Sequence, residues 1–394
     1  MTLKLASFNV ENLFARAKAL DTADQAEAEP VMAAFATFNT VAAEEVYSDE
    51  DKATLLSSLE TLGVLVRTQA GDLRPNPDPF SAWALLRENR GDFLVAPSDR
   101  DPRIEANGRD DWIGWVELIT EPVDEVAVRM TARVIDEVAA NVLCLVEAES
   151  RPSLVRFNEE LLDGRYGRAM LIDGNDPRGI DVALLCDGDI EIVWMRSHVD
   201  VPDPESAAGR PLFSRDCPVH RLRLPGGDEL FLLLNHLKSQ SFSSGNPDPL
   251  RSRQSAAVRD IYDQLRAEGA EYVAVLGDFN KGPSRDDPTE HPTLEPLFGP
   301  GVPLVDAYDL PDFDVGNRPG SFQSCTLTNR LDYILLSPEL AARAGAGGVF
   351  RKGLWGNPKN VHPPDPDVWT IYPEIEAAKN AASDHAAIWV ELDL

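Results

Sequence analysis

An ordered series of polar clusters runs through this chain, built from residue types that handle cations, protons and anions. Asn9 and Glu11 lie in Ser7-Phe8-Asn9-Val10-Glu11-Asn12, and Glu147 closes Leu145-Val146-Glu147. Asn235-His236-Leu237-Lys238-Ser239, Gly277-Asp278-Phe279-Asn280, Arg330-Leu331-Asp332-Tyr333 and Ser383-Asp384-His385 follow in turn. Carboxylate and amide oxygens gathered without cysteine are hard donors, which suit Mg2+ or Mn2+ better than zinc. Such a cation keeps positions open for water and a phosphate oxygen. An imidazole oriented by a carboxylate is held in one tautomer with its positive form stabilised. Asp332 paired with His385 would make such a couple. It could take a proton from water or lend positive charge to a phosphorane-like transition state. Read singly, each cluster also has a plainer meaning: a strand end, an Asx turn at Asp278, an Arg330–Asp332 ion pair, a loop histidine at 385. Their order along one chain favours the chemistry.

The elements that must position these residues are mostly strands. Apolar, β-branched and aromatic runs predict strands at 3–9, 142–147, 180–186, 190–196, 219–224, 230–235, 272–277, 331–336 and 386–393. Each cluster sits in or beside such a run, so a sheet can deliver the clusters to one rim. Asn9 and Glu11, like Asp278 and Asn280, are two apart and would share a face on an extended strand. Helices are expected at 50–63, 124–139 and 252–267; in the second, Val126, Met130, Val134 and Val138 form one stripe. Residues around 15–120 stand apart, Ala/Glu-rich and then Pro/Asp/Arg-rich, and read as a long insertion in a single domain spanning 1–394. A second long stretch, about 338–382, contains Trp355, His362, Trp369 and Tyr372, aromatics better read as local core than as a base-stacking surface.

Composition narrows the class. Hydrophobic residues make up 43% of 394, ample for a core. No run approaches the ~18 apolar residues of a spanning helix, and Thr2–Phe8 reads as a strand rather than an export signal. A soluble, cytoplasmic protein is expected. Cys144, Cys186, Cys217 and Cys325 are scattered without C-x-x-C spacing, which argues against zinc and against a disulfide framework. The net charge of −29 repels polyanions at long range. Residues 210–259 nevertheless hold eight Lys/Arg against four Asp/Glu around Asn235-His236-Leu237-Lys238. They make either an anion-receiving patch or a set of arginines paired with surplus carboxylates.

Taken together, the clusters resemble the endonuclease/exonuclease/phosphatase superfamily of metal-dependent phosphoesterases over about residues 1–14 and 124–394. The resemblance implies an α/β (α+β) four-layer sandwich, two packed, mainly antiparallel sheets flanked by helices, as in deoxyribonuclease I. It assigns Glu147 as the principal metal ligand, with Asn9, Glu11 and Asp384 beside it. Asp278 would orient or deprotonate the attacking water, Asn280 would bind a phosphate oxygen, and His385 with Asp332 would stabilise the transition state. His236 fits the branch in which a histidine contacts phosphate or protonates the leaving group. Arg178 and Lys238 could add a fork donor and a point charge for the same anion. The activity implied is Mg2+-dependent (or Mn2+-dependent) phosphodiester hydrolysis by in-line water attack, most readily as a nuclease acting on nucleic acid. A phosphatase or a lipid or small-molecule phosphodiesterase is the alternative, and a catalytically silent binding module the third reading.

Overall fold

The computed structural model describes residues 2–13, 15–17, 25–122, 125–176, 179–240, 245–356 and 369–394. Every apolar run marked above forms a strand, from Thr2–Leu13 and Val142–Ala148 to Ala387–Asp393. A seven-stranded sheet runs, in spatial order, Arg168–Leu171, Asp181–Cys186, Val142–Ala148, Thr2–Leu13, Ala387–Asp393, Ala344–Phe350 and Phe313–Asp314. A six-stranded sheet runs Glu191–Arg196, Val219–Arg223, Glu229–His236, Tyr272–Asp278, Asp332–Leu336 and Val305–Asp306. Most neighbours are antiparallel. Thr2–Leu13 with Val142–Ala148, Glu229–His236 with Tyr272–Asp278, and the short Phe313–Asp314 with Ala344–Phe350 are parallel. Parallel neighbours need a crossover, and helices Glu125–Val138 and Asp248–Ala267 lie in the first two of these connections.

Both faces of each sheet are covered, which explains why these strands read as near-continuous apolar runs. On one side of the seven-stranded sheet, Phe8, Leu143, Leu145 and Leu185 pack under Val134, Ile135, Leu154 and Phe157 of two helices. Its other side, through Leu3, Leu5, Cys144 and Leu184, meets Leu222, Leu232, Leu234, Leu276 and Ile334 of the six-stranded sheet. The far face of that second sheet, with Leu233, Val275 and Leu335, lies under Val258, Tyr262 and Leu265. Helix, sheet, sheet, helix is the four-layer sandwich expected. Helix Arg151–Leu161 was not anticipated, although Ser150 at its cap and Pro152 in its first turn are start signals.

Residues 15–123 cluster into a compact unit of their own. Its core gathers Phe38, Leu55, Leu59, Phe93 and Trp112, with Phe93 stacked on Trp112 at 3.9 Å and the indole donating to the Tyr47 hydroxyl at 3.0 Å. The two ends of the unit pair as short strands, Ala15 opposite Pro122, so the chain leaves and returns at one place.

Candidate active site

Strand parity carries most of the site to one end of the intersheet core. Leu3 and Leu5 point between the sheets, and two steps beyond Ser7 in the same row stands Asn9. Leu230, Leu232 and Leu234 lead to His236, Ala274 and Leu276 lead to Asp278, and Leu336 and Ile334 lead back to Asp332. Register then sets His236 beside Asp278, and Asp278 beside Asp332, on neighbouring strands. All of these polar residues are buried.

Alternation fails where the strands end. Glu11, Glu147 and Asn280 have φ of 44°, 69° and 55°, the left-handed region that side chains with a Cβ seldom adopt. The same-face reading of Asn9 with Glu11, and of Asp278 with Asn280, is therefore corrected, because the backbone turns at Glu11 and at Asn280 instead of staying extended. The turns still bring these side chains in. Glu147 occupies a register shift between Val146 and Ala148 and places Oε1 3.7 Å from His236 Nε2. Glu11 Oε2 accepts from the Asp384 backbone N–H at 2.6 Å. The Asn280 N–H donates to Asp278 Oδ1 at 2.8 Å, so the Asx turn exists as well as the cluster.

The expected couple forms. His385 Nδ1 lies 2.8 Å from Asp332 Oδ2, and both side chains are buried. Ser321 Oγ donates to the same carboxylate oxygen at 2.6 Å and accepts from the N–H groups of Leu331 and Asp332. Ser383 Oγ accepts from the His385 N–H at 2.9 Å and donates to the Asn9 carbonyl at 2.7 Å. Burial opposes charge on His385, but Asp332 and Asp278 outweigh it and hold the imidazole well above its ordinary value. Arg330 does not pair with Asp332; it lies over Tyr308 at 4.6 Å and near Asp306. Ser321 escaped sequence reading because a serine in a loop carries no local mark of an aspartate eleven positions on.

Around this couple the carboxylates are crowded. Burial raises Asp278 to about 7, with Asp332 adding repulsion, although Asn9 Nδ2 and Asn280 Nδ2 each donate to its Oδ2 at 3.1 Å. Burial also raises Glu147 and Asp384, and Glu11, though more exposed, is pushed up by burial and then by Asp384. Crowded carboxylate and amide oxygens with no thiolate fit a hard divalent cation, and Glu11, Glu147, Asp384 and the Asn9 amide would hold it. Asp278, Asp332 and His385 also bring ligand atoms within 4.8 Å of one another. There the Asp332–His385 hydrogen bond uses Nδ1 and Oδ2, while Asp332 Oδ1 has no hydrogen-bond partner among the described residues and His385 Nε2 faces Asp278 Oδ2 at 3.9 Å.

The remaining sequence-marked residues divide. His236 Nε2 lies 3.7 Å from Asp278 Oδ2, inside the site. Lys238 follows on the adjoining loop, half-buried. Arg178 and His362 lie outside the described residues. Asn280 Nδ2 also donates to the Leu237 carbonyl at 3.1 Å, so a phosphate contact from it would replace an existing bond. The arginines of 210–259 are largely paired: Arg221 with Glu229, Arg223 with Glu191, Arg251 with Asp248, Arg253 with Asp203 and Arg259 with Asp263. Trp355 and Tyr372 belong to the core beneath helix Glu125–Val138, and Trp369 packs beside Leu354.

The fold resembles that of a mannosyl-6-phosphatase from Bacteroides thetaiotaomicron VPI-5482, with TM-score 0.50, 18% identity, 68% of this chain and 91% of that chain covered. An endonuclease/exonuclease/phosphatase family protein from Bacteroides thetaiotaomicron aligns with TM-score 0.50, 19% identity and coverage of 68% and 87%. The human Nocturnin catalytic domain aligns with TM-score 0.45, 16% identity and coverage of 69% and 88%. No curated protein matches the sequence significantly. Residues 125–385 match the Endonuclease/Exonuclease/phosphatase family, and the chain belongs to it.

Proposed function

We propose that the chain hydrolyses phosphate esters by in-line attack of water at the Asp332–His385 end of the intersheet core, with a divalent cation, Mg2+ or Mn2+, as cofactor. The observation that carries this reading is the meeting of a carboxylate-held imidazole with neighbouring carboxylates that burial raises. The bound cation supplies positive charge for the phosphate oxygens and for water. Asp278, raised toward neutrality, is suited to orient the water and accept its proton at a carboxylate oxygen. His385 presents Nε2, protonated and steadied through Nδ1, to the charge that builds on the phosphoryl oxygens. His236, from the neighbouring strand, reaches the same space and is the candidate for the leaving-group side.

A nucleic-acid substrate accords with the sequence expectation. A smaller ester is the second reading, and a specific observation favours it: arginines of the 210–259 segment are held by carboxylates. Hydrolysis of bis-p-nitrophenyl phosphate, p-nitrophenyl phosphate, DNA and RNA, with Mg2+, Mn2+ or EDTA, tests both readings. Cation-dependent turnover that disappears in His385→Ala is expected. Cleavage of DNA or RNA that persists at about 200 mM salt would favour the nuclease. Turnover of every substrate unchanged by EDTA and by His385→Ala would sink the assignment.

A further inference from the structure

The strand ladder that holds His236 ends at that residue, yet the next two peptide groups are fixed as firmly as a strand. The Leu237 N–H donates to the Asp278 carbonyl at 2.9 Å. Its carbonyl accepts from Arg215 Nη2 and Asn280 Nδ2, each at 3.1 Å. The Lys238 N–H donates to Gln254 Oε1 at 2.8 Å, and the Lys238 carbonyl accepts from Arg251 Nε at 2.9 Å. Arg215, Arg251 and Gln254 are 3%, 0% and 1% exposed. Burying two guanidinium groups is costly unless each is paired, and Asp176 and Asp248 neutralise them. Gln254 Nε2 returns to the Leu212 carbonyl at 2.9 Å, tying the clamp to the segment that carries Arg215. Besides its ion pair, each buried guanidinium gives one N–H to the backbone that follows His236.

We propose that Gln254, Arg251 and Arg215 are positioning residues, which hold the Leu237–Lys238 peptides so that the His236 imidazole keeps its place between Glu147 and Asp278. The proposal rests on the role given to His236 above. A displacement of about 1 Å at a reacting group can cost about a hundredfold in rate. The clamp therefore acts on turnover more than on substrate binding.

The test is a double-mutant cycle on the Mn2+-loaded or Mg2+-loaded full chain with bis-p-nitrophenyl phosphate. Gln254→Leu is expected to lower kcat about ten- to a hundredfold with KM changed less than about twofold. Gln254→Glu, which keeps the acceptor for the Lys238 N–H, should recover part of that loss. In the His236→Ala background, Gln254→Leu should cost little more. Wild-type kcat in Gln254→Leu overturns the proposal, as does an equal loss in both backgrounds. If His236→Ala falls below detection, the Gln254→Glu rescue decides, and its failure in a folded protein overturns the clamp. His236→Ala turning over at the wild-type rate would instead remove the role of His236 itself, and this proposal with it.

Discussion

Asp332 decides what His385 can do. One oxygen of its carboxylate serves both the imidazole Nδ1, at 2.8 Å, and the Ser321 hydroxyl, at 2.6 Å. Asp332→Asn preserves the shape but removes the charge and offers an N–H where an acceptor is needed. Steady-state kinetics should then show kcat lower by about 10²- to 10⁴-fold with the fold retained. The raised carboxylates make a second prediction. A cation binds only the deprotonated forms, so loading must expel protons from Glu11, raised to about 7, and from Glu147 and Asp384, which are also raised. Calorimetric titration with Mn2+ should therefore show affinity weakening as pH falls from about 7.5 to 6, with proton release evident across buffers of different ionisation heat. Binding that is indifferent to pH over that range would mean these carboxylates are already ionised. Of the residues here, Asn9, Glu147, Asp278, Asp332 and His385 were legible because each ends or adjoins a recognisable strand run. Ser321 was not.

Among the elements, Val219–Arg223 carries a residue that fits its place poorly. His220 lies opposite Leu232 and in the row of Leu222, so its ring points between the sheets, and neither ring nitrogen has a partner among the described residues. Burial lowers its pKa from 6.5 to about 4. The folded state therefore refuses a proton that the unfolded chain accepts between those values. Stability is fully present above pH 6.5 and lost as pH falls toward 4, by up to about 3 kcal/mol. His220→Leu, similar in volume, should raise the melting temperature at pH 7 and flatten its fall between pH 6.5 and 4. Equal acid sensitivity in the two proteins would show that the ring is not the source. Periodicity made this strand readable but could not say which face met a second sheet. Gly277 makes the same point. Its φ is 132°, and a Cβ there would come within 2.0 Å of the Asn235 carbonyl, a clash that exists only because Glu229–His236 lies alongside.

For the whole molecule, Asn9, Glu11, Glu147, His236, Asp278, Asp332, Asp384 and His385 all come from residues 1–14 and 124–394. The unit at 15–123 has its own core, and its ends pair with each other. Replacing it with a short Gly/Ser linker should leave a folded protein that still hydrolyses p-nitrophenyl esters with a cation, measured by kcat/KM and circular dichroism. Loss of fold would show that the two units depend on each other for stability. Loss of turnover with the fold intact would give the insertion a part in catalysis.

By itself the sequence determined the inventory: apolar runs of strand length, hard oxygen donors and imidazoles at their ends, and scattered cysteines that remain free and buried. These are local properties, legible because side-chain periodicity and donor chemistry do not depend on distant partners. Tertiary structure alone decided the rest. It set His236, Asp278 and Asp332 side by side through the register of strands up to a hundred residues apart. It turned Glu11, Glu147 and Asn280 inward through left-handed backbone, against simple alternation. It gave the arginines of 210–259 to carboxylates and to the backbone beyond His236. Register, turn and pairing arise only when strands meet, so no window of sequence contains them.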